Sequence, residues 1–69
     1  MYVKPNFLTK EALREAVVRG TRVTVFEPGL GDAPTQAEAA FVEGPHFPKP
    51  HSWYATVTIE NGIVVKVLR

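Results

Sequence analysis

The sequence predicts a small α+β domain: one N-terminal helix packed on a four-stranded, mainly antiparallel sheet, order α-β-β-β-β, in two layers. Three observations carry this expectation. Residues 9–19, TKEALREAVVR, place apolar side chains at helical spacing. Four later segments have strand length, most of them rich in β-branched residues. The last two are separated by Asn61-Gly62, a hairpin signal. The 69 residues form a single domain, 1–69.

The helix begins at Thr9, whose hydroxyl can accept from the free amides of the first turn. Leu8 and Leu13 hold the two positions of a hydrophobic staple. Gly20 follows the last turn, where a left-handed residue closes a helix at little cost. Ala12, Leu13, Ala16 and Val17 make the apolar face. Glu11–Arg14 and Glu15–Arg19 are spaced as ion pairs on the solvated side, so the helix reads as scaffold rather than as a basic surface.

TRVTVFEPG (21–29) alternates Val23 and Val25 with Arg22 and Thr24, a strand with one buried face. Pro28-Gly29 ends it, and 28–35 is a loop rich in turn formers. Gly29 and Gly31 lack the following helix start and lysine that a phosphate-binding loop needs. QAEAAFVE (36–43) is short and bounded by breakers, which favours a strand. Ala37, Ala39 and Phe41 then share one face, and Glu38, Ala40 and Val42 the other.

In the C-terminal hairpin, a three-residue loop with a bulge at Gly62 pairs Ile59 with Ile63, Val57 with Val65 and Ala55 with Val67. Trp53 to Ile59 and Ile63 to Val67 then build one continuous apolar face. A two-residue loop would put Lys66 on the face of Val57 and Ile59. The coherent face selects the bulged loop, and an Ile59–Val64 pairing would contradict it. The opposite face would carry Tyr54, Thr56, Thr58, Val64, Lys66 and Leu68. Tyr2 and Val3 can extend a sheet edge.

Composition narrows the function classes. There is no cysteine, so disulfides and thiolate zinc sites are excluded. A net charge of +1 gives no electrostatic case for nucleic acid. No apolar run reaches the ~20 residues of a membrane span, and MYVKPNFLTK lacks a signal-peptide core, which makes a cytoplasmic location the expectation. A chain this short buries only about 60% of its unfolded surface, so a homodimer through a sheet face or edge would add support.

The unusual stretch is 43–54, EGPHFPKPHSWY. Its prolines remove amide donors and stiffen an extended path. Trp53 is expected in the core, and Phe47 either closes the end of the core or stands exposed, closure being favoured. His46, Phe47, Lys49, His51 and Tyr54 are the candidate binding residues, because aromatic groups on a rigid platform grip a partner at low ordering cost. His46 and His51, with Glu43 or Asp32, are weak metal-ligand candidates, since His-x4-His is not an established ligand spacing. A histidine acid–base pair lacks supporting neighbours. The structural alternative has the histidines bonding loop carbonyls. No catalytic residue and no cofactor are assigned. A second reading is a nucleic-acid binder using Tyr54, Phe47, His46, Lys49, Lys66 and Arg69.

GPHFPKPHSWYA, together with VTVFEPG and TKEALREAVVRG, resembles a group of short bacterial and phage-encoded proteins. These share a GPH-aromatic-P-x-PH-x-WYA segment, an FxPG segment and a terminal Asn/Asp-Gly hairpin. The resemblance covers most of the chain, implies a small accessory protein and carries over no catalytic residue. Ser52 stands where that pattern suggests a basic residue, which weakens the case for a phosphate contact there. The reading is a non-enzymatic interaction module presenting loop 43–54, with a protein partner or self-association favoured over nucleic acid.

Overall fold

The computed structural model describes residues 1–29 and 31–69; Leu30, within the segment 28–35 expected to be a loop, lies outside them. The elements are β1 (Tyr2–Lys4), α1 (Lys10–Val18), β2 (Thr24–Phe26), β3 (Ala37–Gly44), β4 (Trp53–Glu60) and β5 (Ile63–Val67). The fold is α+β, with two corrections. Among the described residues the sheet has five strands, in the order β1-β2-β5-β4-β3, and a strand precedes the helix. The additional strand is Tyr2–Lys4, which pairs antiparallel with β2 along its whole length. Three residues are too few to show a repeat, so only the partner strand reveals them.

The helix forms where its caps place it. Thr9 is extended (φ −136°, ψ 156°), and its hydroxyl accepts from the Ala12 amide at 3.1 Å. At the other end Gly20 is left-handed (φ 82°). The Gly20 amide donates to Val17 and the Thr21 amide to Ala16, the two bonds of a Schellman closure. Leu13 and Ala16 are buried, with Ala12 and Val17 half-buried beside them. Arg14 and Glu11 pair at 2.6 Å, while Glu15 and Arg19 form no ion pair among the described residues. Leu8 is 62% exposed, so the expected staple onto Leu13 is not built.

Helix α1 packs on β4 and β5. The interior joins Leu13, Val23, Val42, Val57 and Ile59, all essentially without solvent contact, to Val3, Trp53 and Val64. Each large aliphatic group buried this way is worth about 1.5–3 kcal/mol.

The β4–β5 hairpin corrects the expected register. Glu60 pairs with Ile63 and Ile59 with Val64, so the loop is the two-residue Asn61-Gly62, with both residues at positive φ (53° and 76°). The apolar face is rescued further along. Thr58 pairs with Lys66 and Val57 with Val67, so β5 carries one extra residue and Val65 is bulged out. Val64 and Val67 face the core, Val65 is exposed, and Lys66 stays opposite Thr58. Val64 therefore belongs inside, not on the outer face.

Strand β3 shows the same device. Ala37 pairs with Ile59 but Ala40 with Val57, an extra residue that switches the parity. Ala40 and Val42 are buried, while Ala39 and Phe41 are exposed, the reverse of simple alternation from Ala37.

Consecutive β2 and β3 are not neighbours. Their connection runs past the β4–β5 turn, where the Gly62 amide donates to the Thr35 carbonyl and the Asn61 amide to Oε1 of Gln36. The sheet is coiled enough for its edges to meet at one end, where the Glu43 amide donates to the Met1 carbonyl at 2.9 Å. That meeting carries β1 under the loop after β3.

Candidate functional site: an aromatic cluster under loop 43–54

Strands β3 and β4 end side by side at the Gly44–Trp53 pair, and residues 45–52 bridge them. The Gly44–Pro45 and Phe47–Pro48 peptide bonds are cis. The loop closes on itself through Ser52 and His51 amides donating to the Gly44 and Pro45 carbonyls, at 2.7 and 3.3 Å.

Trp53 turns inward, as expected. Its indole lies on Gly44, where an added Cβ would overlap Cζ2 and stand 2.6 Å from Cε2. Its Nε1–H donates to the Phe7 carbonyl at 3.0 Å, satisfying the one polar atom of a buried ring. Only glycine lets the ring approach the neighbouring backbone this closely.

The other rings of the loop turn to the opposite side, against Tyr2. Alternation along β1 sends Val3 to the core and Tyr2 outward, where Tyr2 is nonetheless buried by the loop above it. The His46 ring is half-buried, 4.5 Å from Tyr2 and 5.3 Å edge-on to Phe26. His51 lies 5.6 Å from Tyr2 in a stacked arrangement, and its Nε2 is hydrogen-bonded to the Tyr2 hydroxyl. His51 holds a left-handed backbone (φ 64°), a conformation that histidine tolerates better than β-branched residues. Among the described residues neither imidazole bonds a loop carbonyl, so the structural alternative is replaced by ring packing and one phenol contact.

Asn6 fixes the loop from the other side. Its Oδ1 accepts from the His46 amide at 2.7 Å, and its Nδ2 donates to the Phe47 carbonyl at 2.8 Å. One side chain thus satisfies two backbone groups forty residues away that no strand could reach.

Phe47 is 60% exposed and does not close the core, a correction to the favoured reading. The cause is the Asn6 clasp together with the inward Trp53, which already fills that end. Tyr54, 61% exposed, stands 6.4 Å from His51, and Lys49 is exposed at the loop tip. The structure thus gathers His46 and His51 around Tyr2, with Phe47 beside His46 and Tyr54 at the rim.

Glu43 is bound at 3.1 Å to the Met1 amine, which also stands 3.7 Å from Glu27. Among the described residues no three His, Asp or Glu side chains converge as a metal site requires. Lys66 stands opposite Thr58 in the hairpin. Arg69 lines a groove of about 310 Å³ with Lys10, Phe41, Glu43, Tyr54 and Thr56.

Sequence reasoning missed Tyr2, Asn6 and Phe26 as site residues. Tyr2 had only been placed on a sheet edge, and no local pattern ties it to a loop forty-nine positions on. Among the described residues no helix is long and apolar enough to cross a membrane. No protein-family model, no curated protein and no solved structure matches this chain.

Proposed function

We propose that the chain is a small, cytoplasmic, non-enzymatic interaction module whose recognition surface is loop 43–54, and that its partner is a protein. The observation carrying this reading is that the backbone of the loop is tied down while its rings stay in water. Asn6 and the Gly44–Ser52 bond hold the main chain, yet Phe47, His51 and Tyr54 are exposed. A platform ordered before binding gives up little entropy on association, and exposed aromatics are the side chains that protein interfaces bury most profitably. His46 supports the platform, and Lys49 stands at its tip.

Affinity capture tests the proposal. The tagged wild-type chain is compared with a Phe47→Ser/Tyr54→Ser variant of unchanged melting temperature. A partner retained by the first and lost by the second supports the loop surface; equal retention refutes it.

A second reading, single-stranded nucleic-acid binding, is favoured by the groove beside Tyr54. There Phe41, 77% exposed, and Tyr54 lie with the cationic Lys10 and Arg69, an arrangement of the kind that stacks bases and holds phosphates. Of the residues expected to serve this role, Tyr54 and Arg69 line the groove, whereas His46, Phe47 and Lys49 belong to the loop and Lys66 lies outside it. Titration of a labelled oligonucleotide decides the matter. Affinity that falls steeply with salt and is lost in Tyr54→Ala favours nucleic acid. Absence of binding at low salt removes it.

A further inference from the structure

The hydrogen bond between Tyr2 and His51 has two possible directions, and the surroundings decide between them. If the imidazole donated from Nε2, the weakly accepting phenol oxygen would take the bond and the phenol proton would have no acceptor among the described residues. Tyr2 is 8% exposed, and among the described residues its hydroxyl meets no polar atom other than His51 Nε2. A hydroxyl proton left to whatever solvent reaches a residue this enclosed is worse placed than one held by a nitrogen acceptor. If the phenol donates, both groups are satisfied, because an unprotonated imidazole nitrogen is an acceptor. In the neutral ring only one nitrogen carries hydrogen, so an accepting Nε2 leaves the proton on Nδ1. Among the described residues nothing bonds Nδ1, and the His51 side chain is exposed.

We infer that the Tyr2 hydroxyl donates to Nε2 of His51 and fixes the neutral ring with its proton on Nδ1, making His51 a preset donor for a carboxylate of a protein partner. The inference rests on the reading of loop 43–54 as a recognition surface and adds the chemistry of its contact. Tyr2 is a positioning residue here, since it reaches a partner only through His51. The packed backbone holds the ring where the phenol needs it, with φ at 64°.

A carboxylate is the acceptor that the flanking charges select. Lys49 stands two positions before His51, and Lys4 lies over the Phe26 ring at 5.2 Å. Among the described residues neither lysine has an ion-pair partner. The nearby carboxylates, Glu27 and Glu43, face the Met1 amine instead. An acidic partner segment would therefore find a fixed N–H donor with an unpaired lysine on the same loop and another on β1, beside the Phe26 ring of the same cluster.

Nitrogen-resolved NMR of the whole labelled chain tests this without a partner. In mildly alkaline buffer, the long-range proton–nitrogen pattern of His51 is expected to show protonated Nδ1 and bare Nε2. Free imidazole side chains favour the opposite form. Tyr2→Phe keeps the ring packing but removes the donor, and His51 is then expected to revert to the Nε2–H form. A wild-type His51 already in the Nε2–H form overturns the inference, as does a Tyr2→Phe variant whose pattern is unchanged. If Tyr2→Phe fails to fold, the wild-type pattern alone decides. Sodium acetate is then compared with equal sodium chloride. A shift of the His51 Nδ1 resonance in acetate alone, absent in Tyr2→Phe, supports the carboxylate contact. Equal shifts in the two salts, or a larger one in inorganic phosphate, overturn that ligand class. The tautomer can fail while the loop still binds a partner, and the loop can fail while the tautomer holds, so the two outcomes are separable.

Discussion

Within residues 43–54 the inward and outward side chains are held by different physics. Gly44 and Trp53 belong to a close-packed interior, where a ring lies directly on a neighbouring backbone. His46 and His51 belong to an outer cluster, where rings rest against Tyr2 and Phe26 with centroids 4.5 to 5.6 Å apart. The interior excludes water and tolerates no added atom. The outer cluster is organised by a few polar contacts and leaves Phe47, His51 and Tyr54 wet. One twelve-residue stretch therefore supports the fold on one side and offers chemistry on the other. Substitutions should separate the two sides cleanly.

The largest expected effect is on the inward side. Gly44→Ala places a methyl group into the Trp53 ring, whose atoms cannot swing away as the end of a flexible chain would. The indole must leave its site and its bond to Phe7. Overpacking of this severity costs about 3 kcal/mol or more. For a domain of this size each kcal/mol lowers the melting temperature by about 4–8 °C. Thermal unfolding followed by circular dichroism measures it, and a loss under 1 kcal/mol would remove the contrast drawn here.

Val64 and Val65 sharpen the comparison within one strand. Val64 is 2% exposed and Val65 44%. Val64→Ala is expected to cost about 2 kcal/mol and Val65→Ala under about 0.5 kcal/mol. Equal losses in urea unfolding would restore the three-residue hairpin loop, in which Val65 faces the core.

These two valines also show what was legible in the sequence. The helix could be read because its determinants are local: Thr9 and Gly20 act on amides within one turn. Trp53, Val57 and Ile59 could be placed on one face because β4 runs without interruption, every second residue buried. Strands β3 and β5 could not, since each carries an extra residue that reverses its alternation midway. Nothing in VVK or EAA marks where that residue sits; the partner strand decides it. The weighing of one coherent face against the Asn-Gly turn assumed that both could not be had, and the bulge at Val65 supplies both. The candidate site divides in the same way. The loop residues stood out by composition, but Tyr2, Asn6 and Phe26 reach them only through the coiling of the sheet.

Asn6 tests how firmly the outer side is held. Asn6→Ala removes the bonds to the His46 amide and the Phe47 carbonyl, one exposed and one partly buried. The expected loss is about 1–2 kcal/mol, smaller than at Gly44. Its more telling consequence is local. Hydrogen exchange at residues 46–52 should quicken well beyond the change at β4, because the clasp orders the loop rather than the sheet. Uniform quickening would mean that loop and core unfold as one unit and that the two sides are not separable.

The smallest expected effect is the most informative for function. Phe47→Ser and Tyr54→Ser alter side chains that are 60% and 61% exposed, and each should change stability by under about 0.5 kcal/mol. The same substitutions in a buried aromatic cost about 3–5 kcal/mol, so unfolding measurements separate the possibilities without ambiguity. A Phe47→Ser loss above 2 kcal/mol would place that ring in the packing and leave the loop structural. A negligible loss means the fold gains little from a phenylalanine held in water at the tip of a clasped loop. Exposed aromatic surface of that kind is worth most when something covers it. The stability of Phe47→Ser is therefore the measurement on which the recognition surface stands, and it can be made before any partner is known.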